Sequence, residues 1–200
     1  VVEGEFVEAS AAQLDEDRRT ALPPSAEPEA ERGEGRFDRR LLLLQHVGVH
    51  RVKHGARLLQ RLNELAAIGA TPEGACCRLA LTDDDRAGRE RVIGWMRELG
   101  LQVQIDPIGN LFGLRPGTDD LPPVMTGSHI DTVRTGGRYD GCLGVIGGLE
   151  VVHTLNDAGI RTRRPLVVAA FTNEEGARFA PDMLGSLVYA GGLPLAIAGS

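Results

Sequence analysis

The spacing of apolar residues predicts an amphipathic helix near residue 60. In the segment "ARLLQRLNELAAIG" the apolar side chains recur every three or four residues, which places them on one face of a helix. Gly69 follows the last of them and is typical of a helix stop. The residues that we expect on the buried face are Leu58, Leu62, Leu65 and Ile68.

A second helix is predicted in "LTDDDRAGRERVIGWMRELG". Thr82 is a candidate N-cap, and the three aspartates at residues 83–85 favour the positive end of the helix dipole. Gly100 supplies the C-terminal stop. The residues that we expect on the buried face of this helix are Val92, Met96 and Leu99.

After residue 100 the pattern changes from helices to strands. "LQVQIDP" alternates apolar and polar residues, which suits a half-buried strand, and "NLFGLRPG" is a candidate for the returning strand. "PPVMTG" and "PLVVAAFTN" are nearly continuous apolar runs, typical of strands that helices bury on both faces. Between these two runs, residues 143–158 have helical spacing and Gly159 follows as a stop; the expected buried residues are Ile146, Leu149, Val152 and Leu155.

A strand–helix–strand unit of this kind predicts the fold class. Two parallel strands joined by a helix form a right-handed crossover, so we expect an α/β fold. The sheet should be mixed and mostly parallel, with helices flanking it.

The composition is that of a globular chain with a sizeable core. Of the 200 residues 42% are hydrophobic, which suits about one domain. No apolar run approaches the roughly 20 residues that a membrane-spanning helix needs. We therefore expect no membrane partner and a cytoplasmic location. The net charge of −6 offers no basic stripe, which argues against nucleic acid as a partner.

Acidic residues concentrate at the start of the chain. Residues 1–40 contain eleven Asp or Glu and six Arg but few large apolar side chains, so burial cannot offset their ordering entropy. We expect residues 1–50 to be a disordered or loosely helical extension and residues 51–200 to form the folded part. His46, His50 and His54 recur at a spacing that metal ligands on a helix use, but without a carboxylate partner a solvated helical face is favoured.

Candidate chemistry follows the two buried strands. His129, Asp131 and Asp140 come after the first strand, and Glu174 and Glu175 come after the second. Crossover topology puts the carboxyl ends of both strands at the same edge of the sheet, where ligands collect in open α/β folds. These five side chains are therefore expected to converge, and glycines between them would let the backbone fold tightly.

A cluster of one imidazole and four carboxylates predicts a cation site. The like charges repel one another unless a divalent ion holds them, and Zn²⁺ or Mn²⁺ accepts both nitrogen and carboxylate oxygen. Two such ions about 3.5–4 Å apart would polarise a carbonyl and supply a hydroxide. His129 and Asp131 would project to the same side of an extended chain, so Asp131 could accept the second N–H of the imidazole. One of the adjacent glutamates would be a ligand and the other a general base; a salt-bridged surface loop is the alternative.

Two longer segments carry a resemblance to a known family. "GSHIDTVRTGGRYDGCLGVIGGLEVVHTLNDAGI" and "FTNEEGARFAPDMLGSLVYAGGLP" resemble the N-carbamoyl-L-amino-acid hydrolase / allantoate amidohydrolase / β-ureidopropionase group of the metal-dependent aminoacylase–carboxypeptidase superfamily. The segment "IGATPEGACCRLALTDDDRAGRERVIGWMRELGLQVQIDPIGNLFGLRPG" is similar as well, and the likeness covers about residues 58–194. It implies that residues 51–200 are the N-terminal part of a zinc-peptidase-like metallohydrolase catalytic domain, incomplete here because the family is considerably longer.

The resemblance also implies a role for each candidate residue. His129 would bind one metal ion, Asp140 would bridge two ions, and Glu175 would bind the second. Glu174 would be the general base, and Asp131 would orient His129. The cofactor would be two divalent ions per subunit, with Zn²⁺ expected first and Mn²⁺, Co²⁺ or Ni²⁺ as alternatives.

The implied reaction is hydrolysis of a carbamoyl C–N bond. The substrate would be an N-carbamoyl-L-amino acid or a related ureido acid such as allantoate or ureidopropionate, and the full-length form would be a homodimer. The family's two further histidine ligands and its substrate-gripping residues would lie beyond Ser200, so we expect the 200-residue form itself to be inactive. An aminoacylase or dipeptidase on the same scaffold, or a truncated non-catalytic fragment, are the alternatives.

Overall fold

The computed structural model describes residues 54–198 of the chain. The predicted extension at residues 1–50, with His46 and His50, lies outside this range. The helices are α1 (54–66), α2 (Asp83–Glu98), α3 (Cys142–Asp157), α4 (Leu184–Tyr189) and α5 (Leu195–Ala198), and the strands are β1 (Gln102–Ile105), β2 (Leu111–Arg115), β3 (Val124–His129) and β4 (Leu166–Phe171). Within residues 54–198, no helix is both long and apolar enough to cross a bilayer.

The two helices predicted from apolar spacing are confirmed. α1 buries Leu62 and Leu65 in the core, and Gly69 follows it with a φ of 81°. The Oγ1 atom of Thr82 accepts the backbone N–H of Asp85 at 3.3 Å, so Thr82 is the N-cap of α2 as expected. The residues of α2 and its C-terminal end that join the same core are Val92, Trp95, Met96 and Leu99.

α1 also packs against α3 through charged side chains, which corrects one expectation. His54 does not lie on a solvated helical face: it is half-buried, with its Nδ1 atom 3.2 Å from Oε1 of Glu150 in α3. Arg57 contacts the same carboxylate at 2.7 Å. The contact partner belongs to α3, nearly one hundred residues away, so the spacing of histidines in the sequence could not reveal it.

The strands form one mixed sheet in the order β1-β2-β4-β3, as the α/β prediction required. β3 and β4 pair in parallel, whereas β1–β2 and β2–β4 pair antiparallel. Within the described residues, one strand pair is parallel and two are antiparallel, so the sheet is less parallel than we expected. The five-residue connection at 106–110 explains the first antiparallel pair, because so short a link can join only antiparallel strands.

The crossover helix α3 covers the β3–β4 pair on one side of the sheet. Its residues Ile146, Leu149 and Val152 are buried as predicted, and Leu155 is half-buried. Gly159 follows the helix with a φ of 63°, in the left-handed region that glycine adopts without strain. Strand β4 then returns beside β3, which places the carboxyl ends of both strands together.

We predicted that both crossover strands, β3 and β4, are buried. The prediction is confirmed for β4 and wrong for β3. β4 is buried as expected, with Val168, Ala169 and Ala170 at 0% exposure. β3 is not buried on both faces, and Val124 is 51% exposed. The reason is the strand order: β3 lies at one edge of the described sheet, whereas β4 has a paired strand on each side.

Candidate functional site

The parallel register brings the predicted side chains to one edge of the sheet. His129, the last residue of β3, lies opposite Phe171, the last residue of β4. The segments that follow both strands therefore start side by side. His129 and Asp131 are buried there, at 5% and 3% exposure.

The two nitrogens of the His129 imidazole have different partners. Nδ1 lies 2.9 Å from the main-chain oxygen of Asp131, and since a carbonyl oxygen can only accept, Nδ1 donates. Nε2 lies 3.2 Å from Oε2 of Glu174. Nδ1 is thereby engaged by the main chain, and Nε2 is the nitrogen that faces the Glu174 carboxylate.

The partner atom of His129 differs from the one expected. We expected the Asp131 carboxylate to accept the imidazole N–H, but its Oδ1 is 3.7 Å from Nδ1, beyond hydrogen-bonding distance. The carboxylate instead accepts the backbone N–H groups of Glu174 at 3.3 Å and Glu175 at 3.2 Å. Asp131 therefore contacts His129 through its main chain and the glutamate segment through its side chain, which ties the two strand ends together.

The segment after β4 has its own internal support, which sequence reasoning missed. Asn173 adopts a left-handed conformation with a φ of 53° and is 1% exposed. Its Nδ2 atom donates to the Phe179 carbonyl at 2.8 Å, and the N–H of Met183 donates to the Glu174 carbonyl at 2.7 Å. An asparagine directly after an apolar strand was the available signal, because asparagine tolerates the left-handed region better than most residues.

Asp140 reaches the site through the turn that begins α3. It is exposed, and Gly141 after it has a φ of 63°. A Cβ atom at Gly141 would lie 2.3 Å from Nε2 of His129, so the backbone here packs directly on the imidazole. This close approach explains why a glycine follows the aspartate.

The carboxylates influence one another electrostatically. Burial raises the pKa of the Glu175 carboxyl, and the charge of His129 opposes that shift. Three neighbouring carboxylates raise the pKa of Glu175 further: Asp140, Glu174 and Asp131. Direct contacts join His129 and Asp131 to Glu174, and Asp131 to the backbone N–H of Glu175, whereas Asp140 is related to this group through its electrostatic effect on Glu175.

The donor set suits a divalent cation. Nε2 of His129 lies beside the Glu174 carboxylate, and the carboxylates of Asp131 and Asp140 act electrostatically on that of Glu175. Among the ion pairs of residues 54–198, none joins these carboxylates to a lysine or arginine. In the same range no three His, Cys, Asp or Glu side chains are already placed to hold a metal ion. Nε2 of His129 faces Glu174, the residue that we assigned as general base, rather than a second predicted ligand.

Comparison with known proteins connects this geometry to a family. Residues 125–198 match the model of the peptidase family M20/M25/M40. An N-carbamoyl-L-amino-acid amidohydrolase from Rhizobium meliloti is 51% identical over 145 residues. Residues 125–198 of the chain belong to the M20/M25/M40 family. The resemblance that we identified in the two longer sequence segments is confirmed.

Relatives of this chain differ in the reactions that their names describe. A hydantoinase/carbamoylase family amidase from Burkholderia ambifaria superposes with a TM-score of 0.71 at 58% identity, over 72% of this chain. A ureidoglycolate hydrolase from Arabidopsis thaliana is 39% identical over 142 residues, 70% of this chain. The chain spans about a third of the length of these relatives: 35% of the Rhizobium and Burkholderia proteins and 30% of the Arabidopsis one.

In α2, sequence reasoning missed a buried carboxylate, Asp85, and the half-buried Arg89 one turn later. Asp85 is 2% exposed and accepts the Leu81 N–H at 2.9 Å; burial raises its pKa. Burial lowers the pKa of Arg89, while the charges of Asp85 and Asp131 oppose that shift. Arg89 donates to Oγ1 of Thr172, at the end of β4, at 3.3 Å. The spacing Asp–x–x–x–Arg within α2 was the available signal.

Proposed function

We propose that this chain supplies part of the active site of an amidohydrolase that cleaves the carbamoyl C–N bond of N-carbamoyl-L-amino acids or related ureido acids. The observation that carries the proposal is the convergence of His129, Asp131 and Glu174 where β3 and β4 end. The relative from Rhizobium meliloti, named an N-carbamoyl-L-amino-acid amidohydrolase and 51% identical over 145 residues, supports the choice of bond.

The cofactor that we propose is a pair of divalent ions, with Zn²⁺ first and Mn²⁺, Co²⁺ or Ni²⁺ as alternatives. His129 would hold one ion through Nε2, because Nδ1 is already engaged with a carbonyl. Asp140 would bridge the two ions, and Glu175 would hold the second. When bound, such ions polarise a carbonyl group and lower the pKa of a water molecule.

Glu174 is proposed as the general base. Its carboxylate is 33% exposed and lies beside His129, so it can reach both solvent and the buried donors. It would accept a proton from the attacking water and deliver that proton to the departing amine. Asp131 would act as a positioning residue, because its carboxylate fixes the amides of Glu174 and Glu175.

For the whole protein we also propose a substrate, an oligomeric state, a location and a source for the further ligands. The substrate would be a small ureido acid, and the active form would be a homodimer in the cytoplasm. Further histidine ligands and the groups that bind the substrate carboxylate would come from sequence outside the 200 residues. The 200-residue chain alone would be inactive.

The decisive experiment substitutes the general base in protein expressed from the complete gene. Glu174→Gln removes the proton acceptor but keeps shape and polarity, so we expect turnover to fall by more than 100-fold, the lower range for general acid–base catalysis. Bound Zn²⁺, measured by elemental analysis, should stay at the wild-type content. Asp140→Ala should lose metal. Equal metal loss in both variants would contradict the division of roles.

A second assay separates the alternative substrates. The complete protein is offered N-carbamoyl amino acids, ureidoglycolate, allantoate, N-acetyl amino acids and dipeptides under the same conditions. The proposal expects the highest kcat/KM for a ureido compound. A preference for an N-acetyl amino acid or a dipeptide would favour the aminoacylase or dipeptidase alternative. Absence of both turnover and bound metal would favour the non-catalytic alternative.

A further inference from the structure

Arg78 is a buried arginine that the proposed mechanism does not use. Its side chain is 1% exposed and lies between α1 and the segment after β3. Nε donates to the carbonyl of Ile130 at 2.7 Å, and Nη1 donates to the carbonyls of Leu65 at 2.9 Å and Ile68 at 2.8 Å. Ile130 is the residue between His129 and Asp131, so this bond is made in the middle of the site segment.

The same residue also contacts the turn that carries Asp140. Nη2 lies 3.2 Å from Sγ of Cys142, the first residue of α3 and two positions after Asp140. The main chain adds two bonds to Thr132: the Arg78 N–H donates to Thr132 Oγ1 at 2.7 Å, and the Thr132 N–H donates to the Arg78 carbonyl at 2.9 Å. Arg78 therefore holds the His129–Thr132 segment and the start of α3 at a fixed separation.

The setting of Arg78 is unusual for a buried cation. Among residues 54–198 no carboxylate pairs with it; its donors go to carbonyls and to the thiols of Cys76 and Cys142. A buried charge without a counter-ion is costly unless its donors are satisfied, so only a close geometric match can retain it. The planar guanidinium provides five N–H groups in a rigid fork, which the flexible ammonium of lysine cannot reproduce.

α2 is shaped to leave space for this side chain. Gly88 is buried in α2, and a Cβ atom there would lie 2.7 Å from Cδ and 3.2 Å from Nε of Arg78. A methyl group would push the buried guanidinium, because its other sides are occupied by α1 and the site segment. Two separate features thus support the same position of the Arg78 side chain: its hydrogen bonds to surrounding acceptors, and the glycine in α2 that leaves space for it.

We propose that Arg78 is a positioning residue that presents His129 and Asp140 to a common cation. This inference rests on the proposed function, since it assigns these two residues to the metal site. The carbonyl of Ile130 and the thiol of Cys142 are the two points through which Arg78 acts. It touches neither substrate nor metal itself.

The test measures metal affinity in protein expressed from the complete gene. Arg78→Lys keeps the charge but removes the fork, and we expect Zn²⁺ affinity, measured by competition with a chromogenic chelator, to fall about 10- to 100-fold, as it does when outer groups supporting metal ligands are lost. The Co²⁺ absorption spectrum should change as well, because the ligand geometry changes. Neither readout depends on turnover.

The matched control separates positioning from general stability. Val92→Ala opens a cavity in the same core, at a side chain in α2 that is 0% exposed, but leaves every bond of Arg78 intact. It should lower the unfolding midpoint while changing Zn²⁺ affinity less than twofold. An equal affinity loss in Val92→Ala, or an unchanged affinity in Arg78→Lys, would overturn the inference.

A second variant decides the matter if Arg78→Lys does not fold. Gly88→Ala keeps Arg78 and displaces its side chain, so a loss of Zn²⁺ affinity in the same direction supports the inference, and wild-type affinity overturns it. A wild-type protein that binds no Zn²⁺ would overturn the proposed function and this inference together. Wild-type binding that is insensitive to both substitutions overturns this inference alone.

Discussion

Gly141 shows how one residue connects a sequence pattern to the site. The glycines around His129 predicted a tightly folded segment, but the pattern does not say which glycine is required. In the structure Gly141 is the one that touches the imidazole, and its φ of 63° adds a second constraint. The identity of the required glycine depends on where β3 ends, twelve residues earlier in the chain.

At the residue scale we predict that Gly141→Ala damages both stability and metal binding. The added methyl group must displace His129, and the left-handed backbone costs an alanine energy, so we expect a loss of about 1–3 kcal/mol in the free energy of unfolding. Urea unfolding and Zn²⁺ competition measure the two effects. Gly147→Ala in α3 is the control: a Cβ there meets nothing within 4 Å, and helix propensity should stabilise the protein by about 0.5–1 kcal/mol. Similar losses in both variants would refute the role of the His129 contact.

At the element scale the helices are the best predicted part of the molecule. α2 has its cap, its acidic first turn and its apolar face encoded within twenty residues, so its position could be read directly from the sequence. The burial of β3 could not be predicted in this way, because an apolar run does not reveal whether a strand lies at the centre or the edge of a sheet. Strand order depends on pairings between distant residues.

The N-cap of α2 gives the prediction at this scale. Thr82→Ala removes the oxygen that accepts the Asp85 N–H, and we expect the free energy of unfolding to fall by about 1 kcal/mol. Thr82→Ser keeps that oxygen and should unfold close to the wild-type midpoint in urea. If serine destabilises as much as alanine does, the methyl group of Thr82 matters more than its cap.

At the scale of the whole molecule, α1 and α3 are joined by charges on side chains far apart in the sequence. Glu150 accepts from Nη2 of Arg57 at 2.7 Å and from Nε at 3.0 Å, and Nη1 of Arg61 lies 3.7 Å from it. The Glu150 side chain is only 10% exposed, so solvent screens these contacts weakly. For His54, this cluster replaces the solvated helical face that the histidine spacing suggested.

We predict that Glu150→Gln destabilises the molecule because it leaves two arginines without their shared counter-ion. The expected loss is about 1.5–3 kcal/mol in the free energy of unfolding, the range for hydrogen bonds to charged groups. Urea unfolding at low and high salt measures it. Asp119→Asn is the control, since the Asp119–Arg163 pair is exposed and should contribute little. An equal change in both variants would show that burial of Glu150 has no special effect.

The sequence by itself determined what depends on neighbouring residues: the periods of α1, α2 and α3, the glycine stops of these helices, the cap of α2, and the polar residues after β3 and β4. It also indicated that those residues meet, because a crossover places two strand ends at one edge. Only the tertiary structure decided which atoms meet. The Asp131 carboxylate bonds the amides of Glu174 and Glu175 rather than the imidazole, and Arg78 bonds the Ile130 carbonyl, 52 residues away. A hydrogen bond requires its two atoms to lie within about 3 Å of each other, and for residues this far apart in sequence only the packed chain sets that distance.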